Sequence, residues 1–236
     1  MTTSTKLLVR TAARNNAEWC AAMSRSHGVV GQFGAQAWAA PARTPLYYPD
    51  AVTLMPDADP VALAERIDTT APGASVKDSF ADLDLTGSGF EVLFEAQWIH
   101  RPAGPPALTP DLVWDVARTP DALRAWALAW DGAEGNADLF RPELLADPAT
   151  FVLAGRSSDG RVVAGAVASR SDDAVGISNV FAPADAPDTA WPGVLDTLHQ
   201  LFPGLPVVGY EHGDDLATAV RHGFRPVAPL RIWVRG

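Results

Sequence analysis

Apolar and polar positions recur along the chain with two periods, and each change of period marks an element boundary. Short apolar runs rich in valine at Phe151 to Gly155, Val162 to Ala168 and Val175 to Phe181 are separated by Ser157-Ser158-Asp159-Gly160 and Ser171-Asp172-Asp173. Runs of this length between turn residues predict strands, and the Asp-Gly pair predicts a tight hairpin between the first two. Three successive antiparallel strands follow. Before them, Leu112 to Ala117 reads as a strand. Thr119-Pro120-Asp121 then opens a helix whose Leu123, Trp126, Ala127 and Trp130 share one face, and Leu139 to Leu145 reads as a second, short helix. After them come a helix at Trp191 to Phe202 and a strand at Leu205 to Tyr210. A helix at Asp214 to His222 is closed by Gly223, and the last strand, Phe224 to Val234, is interrupted by Pro226 and Pro229.

The first half is less regular. Asn15 to Ser26 predicts a helix with asparagine as its cap and Gly28 just beyond. Gly31 to Trp38 and the proline-broken stretch Pro41 to Pro49 carry no clear period. Ala51 to Met55 is a short strand, and Asp59-Pro60 starts a helix through Ile67 with Leu63 and Ile67 four apart on one face. Val76 to Phe80 and Phe90 to Ile99 read as strands. Arg101 to Pro110 holds four prolines and one glycine, which no helix or central strand sustains. The predicted organisation is therefore two lobes, 1–104 and 105–236. Gly89-Phe90 with Gln97-Trp98-Ile99 is echoed by Gly223-Phe224 with Arg231-Ile232-Trp233. The strand and helix at Ala51 to Ile67 answer to Val175 to Phe202 in the same order. A duplication with a shortened first copy, or chance at common turn-to-strand junctions, accounts for the echo.

Composition narrows the function classes. The 236 residues are 47% hydrophobic and 19% charged, with eight tryptophans, which supplies a core and argues against disorder. The net charge is −10, from 28 acidic and 18 basic residues, and no basic patch is visible, so nucleic acid is not an expected partner. Cys20 is the only cysteine. It excludes an internal disulfide and any zinc site needing two thiolates, and it reads as a small buried hydrophobe rather than a nucleophile. No run reaches the roughly 18 apolar residues of a membrane span, and the N-terminus lacks a signal-peptide core. A soluble cytoplasmic protein of bacterial type, monomer or homodimer, is expected. The five histidines show no metal-ligand spacing, and Asp82 to Gly87 lacks the calcium-loop pattern, so no metal is expected.

The element order from Leu112 to Arg235 resembles the GNAT (Gcn5-related N-acetyltransferase) fold family, with Gly176-Ile177-Ser178-Asn179-Val180-Phe181-Ala182-Pro183 and Gly209 to Phe224 as its most specific pieces. The resemblance implies an α+β fold, a mixed sheet with helices on both faces; where the echo reflects duplication, a truncated first copy stands in tandem with it. It also implies that the strand at Val175 to Phe181 splays from the one at Val207 to Tyr210, leaving Val180, Phe181 and Ala182 to face the pantetheine of acetyl-CoA or another acyl-CoA. Members carry a glycine-rich loop after this strand whose amides cradle the pyrophosphate at a helix start. Here Pro183 to Gly193 has one glycine, three prolines, Asp185 and Asp188, and no basic residue. Gly193 and the helix start at Ala190 to Gly193 are the amides that remain. Many members place a tyrosine four residues before the Gly-Phe to protonate the departing thiolate; this chain has Ala219 there.

A general base belongs near the open strand ends. Glu211 is the candidate base and Asn179 the candidate substrate or backbone ligand. The plain alternatives are a solvated loop at Glu211 to Asp215 that caps the next helix, and a bulge at Asn179. Two function classes follow: a transferase moving an acetyl or acyl group from coenzyme A to a small amine, or a non-catalytic GNAT-like protein for ligand sensing or protein interaction.

Overall fold

The computed structural model describes residues 3–236. In chain order the elements are α1 (Thr3–Ser26), β1 (Gln32–Phe33), β2 (Ala37–Ala39), β3 (Ala51–Thr53), α2 (Pro60–Ala64), β4 (Ser75–Asp78), β5 (Phe90–Arg101), β6 (Val113–Val116) and α3 (Pro120–Asp131). They continue with β7 (Thr150–Arg156), β8 (Val162–Arg170), β9 (Val175–Phe181), α4 (Ala190–Leu201), β10 (Val207–Glu211), α5 (Gly213–Arg221) and β11 (Arg225–Arg235). The chain forms two compact units. One holds the residues up to Ile99 with Tyr210–His212 and Pro226–Gly236, and the other holds His100–Gly209 with Gly213–Arg225.

In the first unit the strand order is β1-β2-β3-β4-β11-β5. β3 and β4 run parallel with α2 between them, while β2 pairs antiparallel to β3 and β11 antiparallel to β4. Leu63, Ile67, Val76, Leu85, Phe90 and Trp233 share one buried cluster. Asp59 caps α2 by accepting from the Val61 and Ala62 amides at 2.9 and 3.1 Å, and Pro60 occupies its first turn. The expected cap at Asn15 is overturned: α1 begins at Thr3, and Asn15 is buried within it. Apart from Val9 and Thr11, Lys6 to Arg14 consists of good helix formers, and Val9, Ala13, Ala17 and Cys20 line one buried face at helical spacing. That face runs unbroken through Asn15, so the chain does not stop to be capped. Two strands of two and three residues, β1 and β2, carry too short a pattern to be read from sequence.

In the second unit the order is β10-β9-β8-β7-β6, with β6 through β9 successively antiparallel and β10 parallel to β9. Thr119 caps α3 with its hydroxyl accepting from Ala122 N at 3.2 Å. The α3 face lies on β8, and the fully buried Trp126 donates Nε1–H to the Leu153 carbonyl at 2.8 Å. Gly165 makes this possible, since a Cβ there would stand 2.2 Å from Trp126 Nε1 and 2.5 Å from Phe181 Cε1. The helix expected at Leu139 to Leu145 is instead two 3-10 turns, Ala137–Leu139 and Pro142–Ala146. Pro142 supplies no amide hydrogen, and it biases Arg141, at ψ 150°, away from helix, which separates the two turns.

Candidate functional site

The site begins where β9 leaves its neighbours. Parallel pairing with β10 covers only Val175 with Val207 and Gly176 with Val208. On its other side β9 stays paired with β8, but the register slips: Val167 faces Ser178, whereas Gly165 faces Phe181. β9 therefore holds one residue more than β8 over this stretch. The extra residue is absorbed at Asn179, whose φ of 52° is left-handed. Asparagine tolerates that region better than most residues because its short amide bonds locally. The bulge bends β9 just past the last residue it shares with β10.

Beyond the bulge Val180, Phe181 and Ala182 are half-buried. The Phe181 ring stands edge-on to Trp126 at 5.3 Å, which anchors the end of β9 onto α3. The chain then crosses Pro183 to Ala186 into a 3-10 turn at Pro187–Thr189 that runs into α4. Of the first three positions of α4 only Ala190 and Trp191 carry an amide hydrogen, because the third is Pro192, and both are buried. Thr189 makes no side-chain cap. Gly193 is buried as well, and a Cβ on it would fall 1.8 Å from Trp114 Nε1. Its glycine thus serves a close approach of the β6 indole to the first turn of α4. In the second unit β9 ends its pairing with β10 at Gly176, where the resemblance implies the strand half of a pantetheine site. The phosphate half does not fit the cradle that the resemblance implies.

The turn before α4 is held by charge. Arg221 donates from Nε to Asp188 Oδ1 at 3.2 Å and from Nη2 to Oδ2 at 2.9 Å, and His222 Nε2 lies 3.0 Å from Oδ1. The Arg221 hydrogen bond, and after it that of His222, holds the Asp188 carboxyl below its ordinary value. The Trp191 ring lies nearly parallel to His222, 6.0 Å between centroids. These residues come from opposite ends of a helix–strand–helix stretch, and no local sequence signal pairs them. Ala219, where the resemblance implies a tyrosine, is fully buried.

Glu211 is the last residue of β10, half-buried, and belongs to the first unit. Its neighbours there are committed to packing: Tyr210 meets Trp98 edge-on at 5.8 Å and carries Lys77 Nζ 4.1 Å over its ring, and His212 lies 5.2 Å from Phe94. Asp214 and Asp215 lie in the first turn of α5 rather than at its cap, since α5 starts at Gly213. Cys20 is buried, and desolvation pushes its thiol up, which keeps it protonated and unreactive. Among the described residues, no three His, Cys, Asp or Glu side chains converge in a group able to hold a metal, and no helix is long and apolar enough to cross a membrane.

No family model and no curated protein matches the sequence. Solved structures do match. A GCN5-related N-acetyltransferase from Kribbella flavida aligns over 95% of this chain and 95% of its own, with a TM-score of 0.63 and 18% identity. A GCN5-related N-acetyltransferase-like protein from Streptococcus suis aligns over 97% and 98%, with a TM-score of 0.50 and 14% identity. A GCN5-related N-acetyltransferase from Sphaerobacter thermophilus aligns over 73% of this chain and 62% of its own, at 0.51 and 12%. At these identities the likeness is one of fold, and the chain has the GNAT-like mixed α/β fold.

Proposed function

We propose that this is a GNAT-like protein whose second unit binds the pantetheine arm of acetyl-CoA or another acyl-CoA along β9, for transfer of the acyl group to a small amine. The observation that carries the reading is the end of β9–β10 pairing after two residue pairs, followed at once by the Asn179 bulge. A parallel strand that stops pairing exposes a ladder of backbone groups to an extended amide-bearing ligand. Val180, Phe181 and Ala182 are proposed to line the arm, Asn179 to hold substrate or backbone, and Gly193 to lie at the phosphate end. Acyl-coenzyme A, when bound, would supply a thioester whose acyl carbon bonds to the amine nitrogen as the C–S bond breaks and the thiolate leaves. Glu211 is proposed as the base that takes the amine proton. Ala219 stands where the resemblance implies a tyrosine, so this chain offers no acid at that position for the thiolate.

The first half of the chain, 1–104, is proposed to be a shortened copy of the second, 105–236. Supporting this, β3–α2–β4 repeats the parallel strand–helix–strand order of β9–α4–β10, and the echoed Gly-Phe and Ile/Trp residues fall on or beside β5 and β11.

A second reading, a non-catalytic ligand-sensing or protein-interaction role, draws support from the buried first turn of α4 and from Trp114 seated against Gly193. Calorimetric titration with acetyl-CoA, followed by free-thiol release with a panel of small amines, separates the two. Heat and thiol release support transfer. Heat alone supports sensing of the cofactor. No heat and no thermal shift at millimolar ligand sinks the enzyme reading.

A further inference from the structure

We infer a second ligand site, independent of the β9 site, in a cleft between the start of α3 and the two 3-10 turns that follow it, and we assign its ligand as a small monocarboxylate with a flat apolar body. The cleft measures about 310 Å³, at the lower end of the roughly 300–1,000 Å³ typical of small-molecule sites. Its base is apolar: Leu123 and Phe140 are buried side chains with Pro120 beside them. Phe140 is fixed edge-on by two indoles, Trp126 at 4.8 Å and Trp130 at 4.9 Å. The base therefore exists before a ligand arrives, and little ordering is left to oppose binding.

The rim carries the charge, and its sign runs against the rest of the protein. Arg124 and Arg141 line the cleft with a single carboxylate, Asp138, in a chain of net charge −10. Asp138 accepts from Arg124 Nη1 at 2.5 Å and so neutralises one of the two guanidinium groups. The Arg141 guanidinium makes no hydrogen bond or ion pair among the described residues. One positive charge is left over, which one carboxylate matches and a phosphate dianion exceeds. A planar guanidinium also pairs two parallel N–H groups with the two oxygens of a carboxylate. A nucleic-acid backbone would need a continued basic track, and the cleft has only this one uncompensated cation.

The test is calorimetry on the full chain with 2-naphthoate, its neutral amide 2-naphthamide and the dianion 2-naphthyl phosphate. The expected result is saturable 2-naphthoate binding with submillimolar Kd, and an amide about tenfold weaker, the worth of one charge-assisted contact. Arg141→Ala is expected to weaken 2-naphthoate about tenfold without moving the amide. Arg141→Lys, which keeps the charge and loses the fork, is expected to fall between. Arg161→Ala, an exposed arginine on the β7–β8 hairpin, is expected to change nothing, and thermal melts of each variant guard against misfolding. Equal binding of acid and amide, tighter binding of the phosphate, no binding at millimolar ligand, or full 2-naphthoate binding by a folded Arg141→Ala protein would each overturn the assignment. None of these outcomes depends on whether acetyl-CoA binds.

Discussion

Replacing Gly193 by alanine distinguishes packing from ligand binding at the start of α4. In an open helix this change stabilises by about 1 kcal/mol, since glycine is the poorer helix former. Here the added Cβ would meet Trp114 Nε1 at 1.8 Å, Cε2 at 2.1 Å and Cδ1 at 2.4 Å, where ordinary contact begins at 3.4 Å. The indole cannot simply slide away, because its other edge lies over Gly155, whose own missing Cβ would stand 2.7 Å from Trp114 Cζ2. The ring occupies room that exists only because both neighbours are glycine. Overpacking of this kind costs about 1–3 kcal/mol and at times more, so after the helix gain of about 1 kcal/mol the net loss is about 1 kcal/mol. For a chain of this length that lowers Tm by roughly 2–4 °C. The assay is thermal unfolding of Gly193→Ala alone and in a Trp114→Ala background, where the alanine enters vacated space and the penalty vanishes, a coupling of about 2 kcal/mol. An unchanged or raised Tm for the single variant refutes the packing account. If Tm holds and acetyl-CoA affinity falls instead, Gly193 acts through the ligand.

Three further outcomes are expected. At the β9 bulge, Asn179→Gly should keep stability within about 0.5 kcal/mol while Asn179→Val loses about 2 kcal/mol in urea melts, because a β-branched residue is strained at φ 52°; a valine variant as stable as the parent contradicts this. Burial raises the Asp78 carboxyl above its ordinary 3.8, ahead of the lowering by backbone amides of Leu83 and Phe80. A raised folded value means that the contribution of Asp78 is fully present below the unfolded value and lost as pH rises through the folded one. The Tm of the parent relative to Asp78→Asn should therefore climb as pH falls from 7 toward 4, and a flat difference contradicts it. Native Cys20 should react with an aromatic disulfide reagent only as fast as the protein opens; rapid labelling at pH 8 would show that its burial is wrong.

Local chemistry carried much of the element list. Asp59-Pro60, Thr119-Pro120, Asp159-Gly160 and Gly223 each set a start, turn or stop through bonds that reach only a few residues, so they were legible without the fold. Burial decided against the local signal at Asn15, where a continuous apolar helix face outweighed the preference of one residue for a cap. The candidate site was legible as a stretch of chain, Asn179 to Ala182, but not as a geometry. Its bulge needs the register of β8 to be visible, and the end of β9–β10 pairing is a relation between residues some thirty apart. The same holds for the grip of Arg221 and His222 on Asp188 and for Trp114 against Gly193, which join residues distant in sequence and leave no periodic trace. The sequence by itself determined where strands and helices form and that the chain follows a GNAT-like order. Only the tertiary structure decided that β11 completes the first unit while α5 before it belongs to the second, and that the first turn of α4 is packed from below by an indole. The physical reason is range: caps and turns are settled by neighbours along the chain, whereas register, close approach and ion pairing are settled by whichever surfaces the folded chain brings together.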